Sequence, residues 1–281
     1  MMSEKNKMKI LMDKKQKKKK GLVDYLLTLV MLAAVGIFLY AGYNLFMIYS
    51  EYKAGEETYD HMQEYVASVD EHENENSSDT DQDASVDAQP VLKAPITVDF
   101  QQLKTVNEDI IGWIYMEAIP SISYPIVQGE DNDYYLHHTV EGKRNSSASI
   151  FVDFQNAGDF TDANTIVYGH NMKNQSMFGL LKQYKKAETC AASPYFWILT
   201  PEQDYRYELF SVREVSERDE VYSLFSSSGE EFKAYLERMQ AESLVPFNLT
   251  FDGTEKIVTL STCTTSATKR CVVQGVREDV E

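Results

Sequence analysis

Two short stretches carry residues whose chemistry depends on what stands beside them. The first, Lys256-Ile-Val-Thr-Leu-Ser-Thr-Cys263, alternates as a strand does. It sends Ile257, Thr259, Ser261 and Cys263 to one face and Val258, Leu260 and Thr262 to the other, with Cys263 arriving at its end. A polar segment, Thr264 to Lys269, then leads to a second apolar stretch that opens on Arg270. If the two form a hairpin, Cys263 and Arg270 face each other across its open end. A guanidinium beside a thiol favours the thiolate, which is the nucleophilic form. Most strand cysteines are nevertheless packed as small hydrophobes, so position alone leaves both readings open. The second stretch, Thr165-Ile-Val-Tyr-Gly-His170, ends on a histidine, and Gly169 suggests a sharp bend before it. A lone histidine is more often structural. Paired with a thiolate, however, an imidazolium could protonate a leaving amine.

Holding such groups together takes a frame, and the rest of the chain supplies one made of short strands. Apolar residues concentrate at 122–127, 149–154, 165–168, 205–215, 256–262 and 271–276, divided by Gly, Asn, Asp and Ser turns. Two segments have helical spacing. Phe100, Leu103 and Val106 share a face behind Asp99, a ready N-cap. Phe232, Tyr235, Leu236 and Met239 follow i, i+3, i+4, i+7 spacing, and Ser228 with Glu231 reads as a capping box. Many strands with few helices predict a mainly β domain over 95–281, a closed or nearly closed barrel with peripheral helices. No internal repeat is visible.

Three further segments precede that domain. Residues 1–21 form a basic tail with a lysine-rich run from Lys14 to Lys20, and 22–49 form a long apolar stretch whose only charge is Asp24. About 25 helical residues reach roughly 37 Å, enough to cross the ~30 Å hydrocarbon core with tilt. The stretch is too long for a cleaved signal peptide. Positive charge ahead of it predicts a single-pass signal anchor with a cytoplasmic N-terminus and the rest outside. Residues 50–94 are acidic and polar, and predict a stalk in which 51–66 can extend the helix and His61 and His72 are merely solvated. The net charge of −17 is unevenly spread: nine lysines and three acids fall in the first fifty residues, leaving 18 basic and 41 acidic residues beyond. Such a surface repels phosphates, which argues against a nucleic-acid partner. Cys190 and Cys271 read as unpaired structural thiols. No CxxC pair, metal-ligand cluster, phosphate loop or calcium loop appears, so neither a metal nor a cofactor is expected.

The site residues also carry a family resemblance. Thr259-Leu-Ser-Thr-Cys263 resembles the sortase signature strand that delivers the nucleophile, and His170 and Arg270 stand where that family's other two active-site residues would fall. Asn107-Glu-Asp-Ile-Ile-Gly-Trp-Ile114, Tyr124-Pro-Ile-Val-Gln128, Asp131-Asn-Asp-Tyr-Tyr-Leu136, Ser149-Ile-Phe-Val-Asp153, Gly169-His-Asn-Met172 and Ser176-Met-Phe-Gly179 are similar to class B sortases in particular. The Cys263–Arg270 interval is slightly short for that class. The resemblance implies a barrel of about eight strands and a cysteine transpeptidase. Cys263 would attack after a threonine in the C-terminal sorting motif of a secreted protein. His170 would move protons, Arg270 would bind the motif and offset oxyanion charge, and Ser261 would touch substrate. The thioacyl enzyme would pass its cargo to an amino group of peptidoglycan or its precursor. A pilin-polymerising sortase and a membrane-bound thiol peptidase acting mainly as a hydrolase are the alternative readings.

Overall fold

The computed structural model describes residues 21–69, 93–225, 228–263 and 269–278. Eight strands close into a barrel: β3 (Ile110–Met116), β4 (Ser123–Val127), β5 (Ile150–Val152), β6 (Asn164–His170), β7 (Tyr195–Leu199), β8 (Asp204–Val215), β9 (Ile257–Cys263) and β10 (Arg270–Arg277). Their order around the barrel is β10-β8-β7-β3-β4-β5-β6-β9. Neighbours are antiparallel except at β4–β5 and β6–β9, which run parallel. The eight-stranded closed barrel is therefore as expected.

Side-chain alternation sorts β9 and β10 between two cores. Val258, Leu260 and Val273 join the barrel interior with Ile114, Ile126, Val167 and Val212. Ile257 and Val272 instead pack outward with Phe210, Phe232, Leu236 and Met239. The last three belong to a helix, Glu230–Ala241, which is amphipathic as its spacing requires. The strands that lead to Cys263 and Arg270 are thus covered on both faces before they reach the rim.

Ahead of the barrel, helix α1 (Leu22–Gln63) is continuous. Its large apolar side chains from Leu22 to Tyr49 are exposed, and it is the one helix among the described residues long and apolar enough to cross a membrane. The compact unit that contains the barrel begins at Glu51 rather than at residue 95. Tyr59 and Met62 lie in the barrel's core cluster. The Tyr59 hydroxyl donates to the Ala148 carbonyl, and Gln63 Nε2 donates to the Ser123 carbonyl at 2.6 Å. Strand β1 (Val66–Ser68) then pairs antiparallel with β2 (Ile96–Val98). Part of the segment expected to be a stalk is therefore barrel packing, and the rest, 70–92 with His72, lies outside the described residues. His61 is not simply solvated, since its Nδ1 sits 3.5 Å from Glu141.

Two local expectations are corrected. Ser228 does not cap the Glu230–Ala241 helix. The N-cap is Gly229, whose φ of +140° only glycine adopts readily, and its N–H donates to the Gly253 carbonyl at 2.8 Å. Gly169 makes no bend either: β6 runs straight through it. A Cβ there would meet Ile150 Cδ1 at 2.4 Å and Phe178 Cδ2 at 2.6 Å, so close packing demands the glycine. The Asp99 cap is present as expected, accepting from Gln102 N at 3.0 Å at the start of α2 (Phe100–Val106).

Met62 is fully buried, so Met62→Ala should destabilise the barrel by about 2–5 kcal/mol through lost burial and the cavity left behind. A protein beginning at Glu51 should melt cooperatively, and one beginning at Pro95 should melt markedly lower. Equal melting temperatures for the two would show that the helix only rests on the barrel.

Candidate active site

Parallel pairing places the two candidate reactive residues side by side. Strands β6 and β9 match over seven consecutive partners, from Asn164↔Ile257 to His170↔Cys263. Residues paired in this way share a face, so Tyr168 lines up with Ser261, and His170 and Cys263 are partners at the strand ends. On the other side of β9, β10 pairs antiparallel from Ser261↔Val272 to Ile257↔Val276, and Arg270 opens β10. The two strands pair antiparallel, as the sequence led one to expect. Arg270 is largely covered; its Nη1 donates to the Thr262 carbonyl at 3.5 Å, and Nη2 lies 3.8 Å from the exposed Glu217 carboxylate.

His170 Nε2 is 2.9 Å from the Leu136 carbonyl, which can only accept. In the neutral ring, Nε2 therefore carries the proton and Nδ1 the lone pair. Burial holds the His170 pKa below the ordinary imidazole range. The Leu136 carbonyl opposes that shift, while the charges of His137 and Arg270 add to it. Leu136 belongs to α3 (Tyr134–His137), a single turn that sequence spacing did not reveal.

Ser261 lies on the Cys263 face but is buried, with its hydroxyl 2.8 Å from the Tyr222 hydroxyl. Tyr222 closes a short 3₁₀ turn, Glu220–Tyr222, and its ring stacks over Tyr168 at 6.4 Å. Tyr222 was missed at the sequence level because it falls in an unpatterned polar stretch. Cys190 and Cys271 are free and buried, and burial pushes both thiols up to about 11. They stay protonated at neutral pH, which sets them apart from nucleophiles. Among the described residues no three His, Cys, Asp or Glu side chains could hold a metal ion.

The closed eight-stranded barrel brings a histidine and a cysteine to the adjacent ends of two parallel strands. The sortase domain model matches residues 114–278, and the chain belongs to the sortase family. Its relatives identify it as a class B sortase, a cysteine transpeptidase. Sortase B of Listeria monocytogenes is 36% identical over 182 residues, which cover 63% of this chain and 73% of that protein. Sortase B of Staphylococcus aureus is 26% identical over 250 residues, 88% of this chain and 94% of that one. Among solved structures, sortase B from B. anthracis in complex with AAEK1 superposes with a TM-score of 0.65 at 31% identity, covering 82% of this chain and 99% of that chain. The S. aureus sortase B–substrate complex gives a TM-score of 0.61 at 28% identity, covering 65% and 85%.

Burial makes a prediction about His170 that can be read without a competing thiol. In Cys263→Ala, the imidazole should titrate below the usual value of about 6.5, followed by its ring-proton shifts in NMR. A midpoint above that value would contradict the burial argument.

Proposed function

We propose that Cys263, His170 and Arg270 form the active site, with Ser261 beneath the peptide-binding ledge. The reaction cleaves the C-terminal sorting motif of a secreted protein after threonine and transfers the protein to an amino group of peptidoglycan or its precursor. The observation that supports this most is the in-register pairing of His170 with Cys263 at the ends of two parallel strands.

The chemistry follows from those positions. The Cys263 thiolate adds to the threonine carbonyl carbon, and Arg270, fixed and always charged, offsets the oxyanion by charge and hydrogen-bond geometry. Collapse breaks the C–N bond; the departing amine takes a proton from the imidazolium, and a thioester remains. Because Nε2–H stays with the Leu136 carbonyl, Nδ1 is the nitrogen that gives up this proton. The acceptor amine then adds to the thioester, yields its proton to Nδ1 and expels the thiolate as the new amide forms. We place 22–49 across the membrane with residues 1–21 in the cytoplasm, as the lysines before the span favour. That orientation puts the barrel outside, where wall precursors carry free amines.

Cys263→Ala should abolish cleavage of threonine-containing sorting-motif peptides without changing the circular dichroism spectrum. Wild-type cleavage in that variant would falsify the nucleophile assignment.

Arg270→Lys keeps the charge but loses the planar fork, and should cost on the order of a hundredfold in activity. A thioester substrate, whose leaving group needs no proton, should partly rescue His170→Ala but not Arg270→Ala. Equal rescue of both variants, or of neither, would show the roles to be exchanged or shared.

A further inference from the structure

Asp153 follows directly on β5 and is only 5% exposed, yet its carboxyl group reaches two separate elements. Its Oδ2 accepts from the Tyr168 hydroxyl at 3.0 Å and from Asn132 Nδ2 at 2.9 Å. Its Oδ1 accepts from the Gln155 N–H at 3.0 Å. A buried carboxyl group needs such partners, because desolvation is costly when they are missing. What matters here is where the partners lie. Tyr168 stands two residues before His170 on the same face of β6. Asn132 lies in the turn that leads into α3, where its own Oδ1 accepts from the Phe154 N–H at 3.0 Å. Helix α3 supplies the Leu136 carbonyl that takes the His170 Nε2 proton.

Asp153 thus ties the strand that carries the imidazole to the turn that places its acceptor. A helix of four residues has almost no stability of its own, so the position of the Leu136 carbonyl depends on its tethers. On the far side, Tyr135 is tied by its hydroxyl to Asp109 at 2.6 Å, which anchors α3 toward β3. Backbone bonds also hold α3, from Ser149 N–H to the Tyr135 carbonyl and from Asn145 N–H to the His137 carbonyl, both at 3.1 Å; the side-chain link toward β6 runs through Asp153. We propose that Asp153 is a positioning residue: by bridging Asn132 and Tyr168 it keeps the Leu136 carbonyl at His170 Nε2, so that Nδ1 remains the nitrogen that exchanges protons.

The proposal rests on the reading of His170 as the proton-transferring group, but its main readout does not depend on activity. His137 on α3 and Arg270 on β10 also bear on the ring, so a pH profile alone would mix their contributions. The tautomer separates them. Full-length protein labelled with ¹⁵N-histidine, in detergent micelles, gives long-range ¹H–¹⁵N spectra that distinguish a protonated ring nitrogen from a bare one. His170→Asn identifies the signal by its loss. Neutral His170 should show Nε2–H alone in the wild type. In Asp153→Ala and Asp153→Asn it should show a mixed or inverted tautomer, with kcat for the sorting peptide down at least about tenfold and KM within about threefold. An unchanged Nε2–H signal in either folded variant overturns the proposal even if kcat falls, since that loss would be merely structural. If neither variant folds, Tyr168→Phe removes one arm at the cost of a single oxygen and should shift the tautomer in the same direction. An unmoved tautomer there overturns the proposal as well. Cleavage that survives Cys263→Ala would instead undo the catalytic reading and leave the tautomer result standing.

Discussion

The parallel pairing of β6 with β9 is the constraint on which the site depends. Parallel neighbours finish at the same end, so a residue that closes one strand meets the residue that closes the other. Here those residues are His170 and Cys263. Were the strands antiparallel, seven residues at about 3.3 Å each would separate the two by roughly 20 Å. Parallel neighbours cannot be joined by a tight turn and need a long crossover. In this chain the crossover is the run from Asn171 to Lys256, which contains β7, β8 and the Glu230–Ala241 helix. The connection that permits the pairing also completes the barrel and covers its outer face. Register is then strongly specified, because a slip of one residue would exchange Val258 and Leu260 for Thr259 and Ser261 in the interior.

Buried polar side chains secure that register from the outside. Thr259 Oγ1 donates to Asn164 Oδ1 at 2.8 Å across the β6–β9 pair. Gln274 Nε2 donates to Thr259 Oγ1 and to the Tyr235 hydroxyl, both at 3.0 Å, which joins β10 and the covering helix to the same cluster. Asn164 Nδ2 reaches the Ser223 carbonyl at 3.0 Å, and the Tyr235 hydroxyl reaches the Val221 carbonyl at 3.1 Å. Networks of this kind rigidify what they join, although here Gln274 Oε1 is buried without a hydrogen-bond partner among the described residues. What they join here is the pair of strands that carries His170 and Cys263 and the turn that lays Tyr222 over Ser261. The outer face therefore runs from apolar at Ile257, through a locked polar layer, to a ledge at the rim.

Much of this was legible in the sequence, and the gaps have physical causes. Strand β9 could be read because polar and apolar residues alternate along it, and the Asp99 cap because a short side chain precedes a helical stripe. Strand β3 gave no alternation: Ile-Ile-Gly-Trp-Ile-Tyr-Met is apolar throughout because both of its faces are largely covered. Helix α3 is shorter than any window in which a period can show. In the helix after Glu51, Tyr59 and Met62 are two core residues among acids, and the burial of Tyr59 depends on partners distant in sequence, such as Tyr124 and Ala148. The cysteine, histidine and arginine are proposed because family motifs surround them. Asp153 and Tyr222 act through hydroxyl and amide groups that only the fold brings near.

One tension in the site resolves when charge is counted for the pair rather than for the residue. Burial and the neighbouring Arg270 both disfavour a lone imidazolium at His170, while the proposed acylation needs a proton donor there. A thiol that passes its proton to the imidazole creates both charges together, so the net charge of the Cys263–His170 pair does not change. In the proposed reaction, the attraction between thiolate and imidazolium offsets part of the desolvation that opposes a single cation. Arg270 repels the imidazolium but favours the thiolate, and later the oxyanion formed on the same side of β9. A guanidinium that disfavours proton uptake at rest thus becomes favourable once negative charge develops beside it. In the proposed reaction, burial favours a neutral His170 imidazole at rest, and charge separates as the carbonyl is attacked. That ordering suits an enzyme whose second half-reaction requires the same imidazole to be neutral again when the acceptor amine arrives.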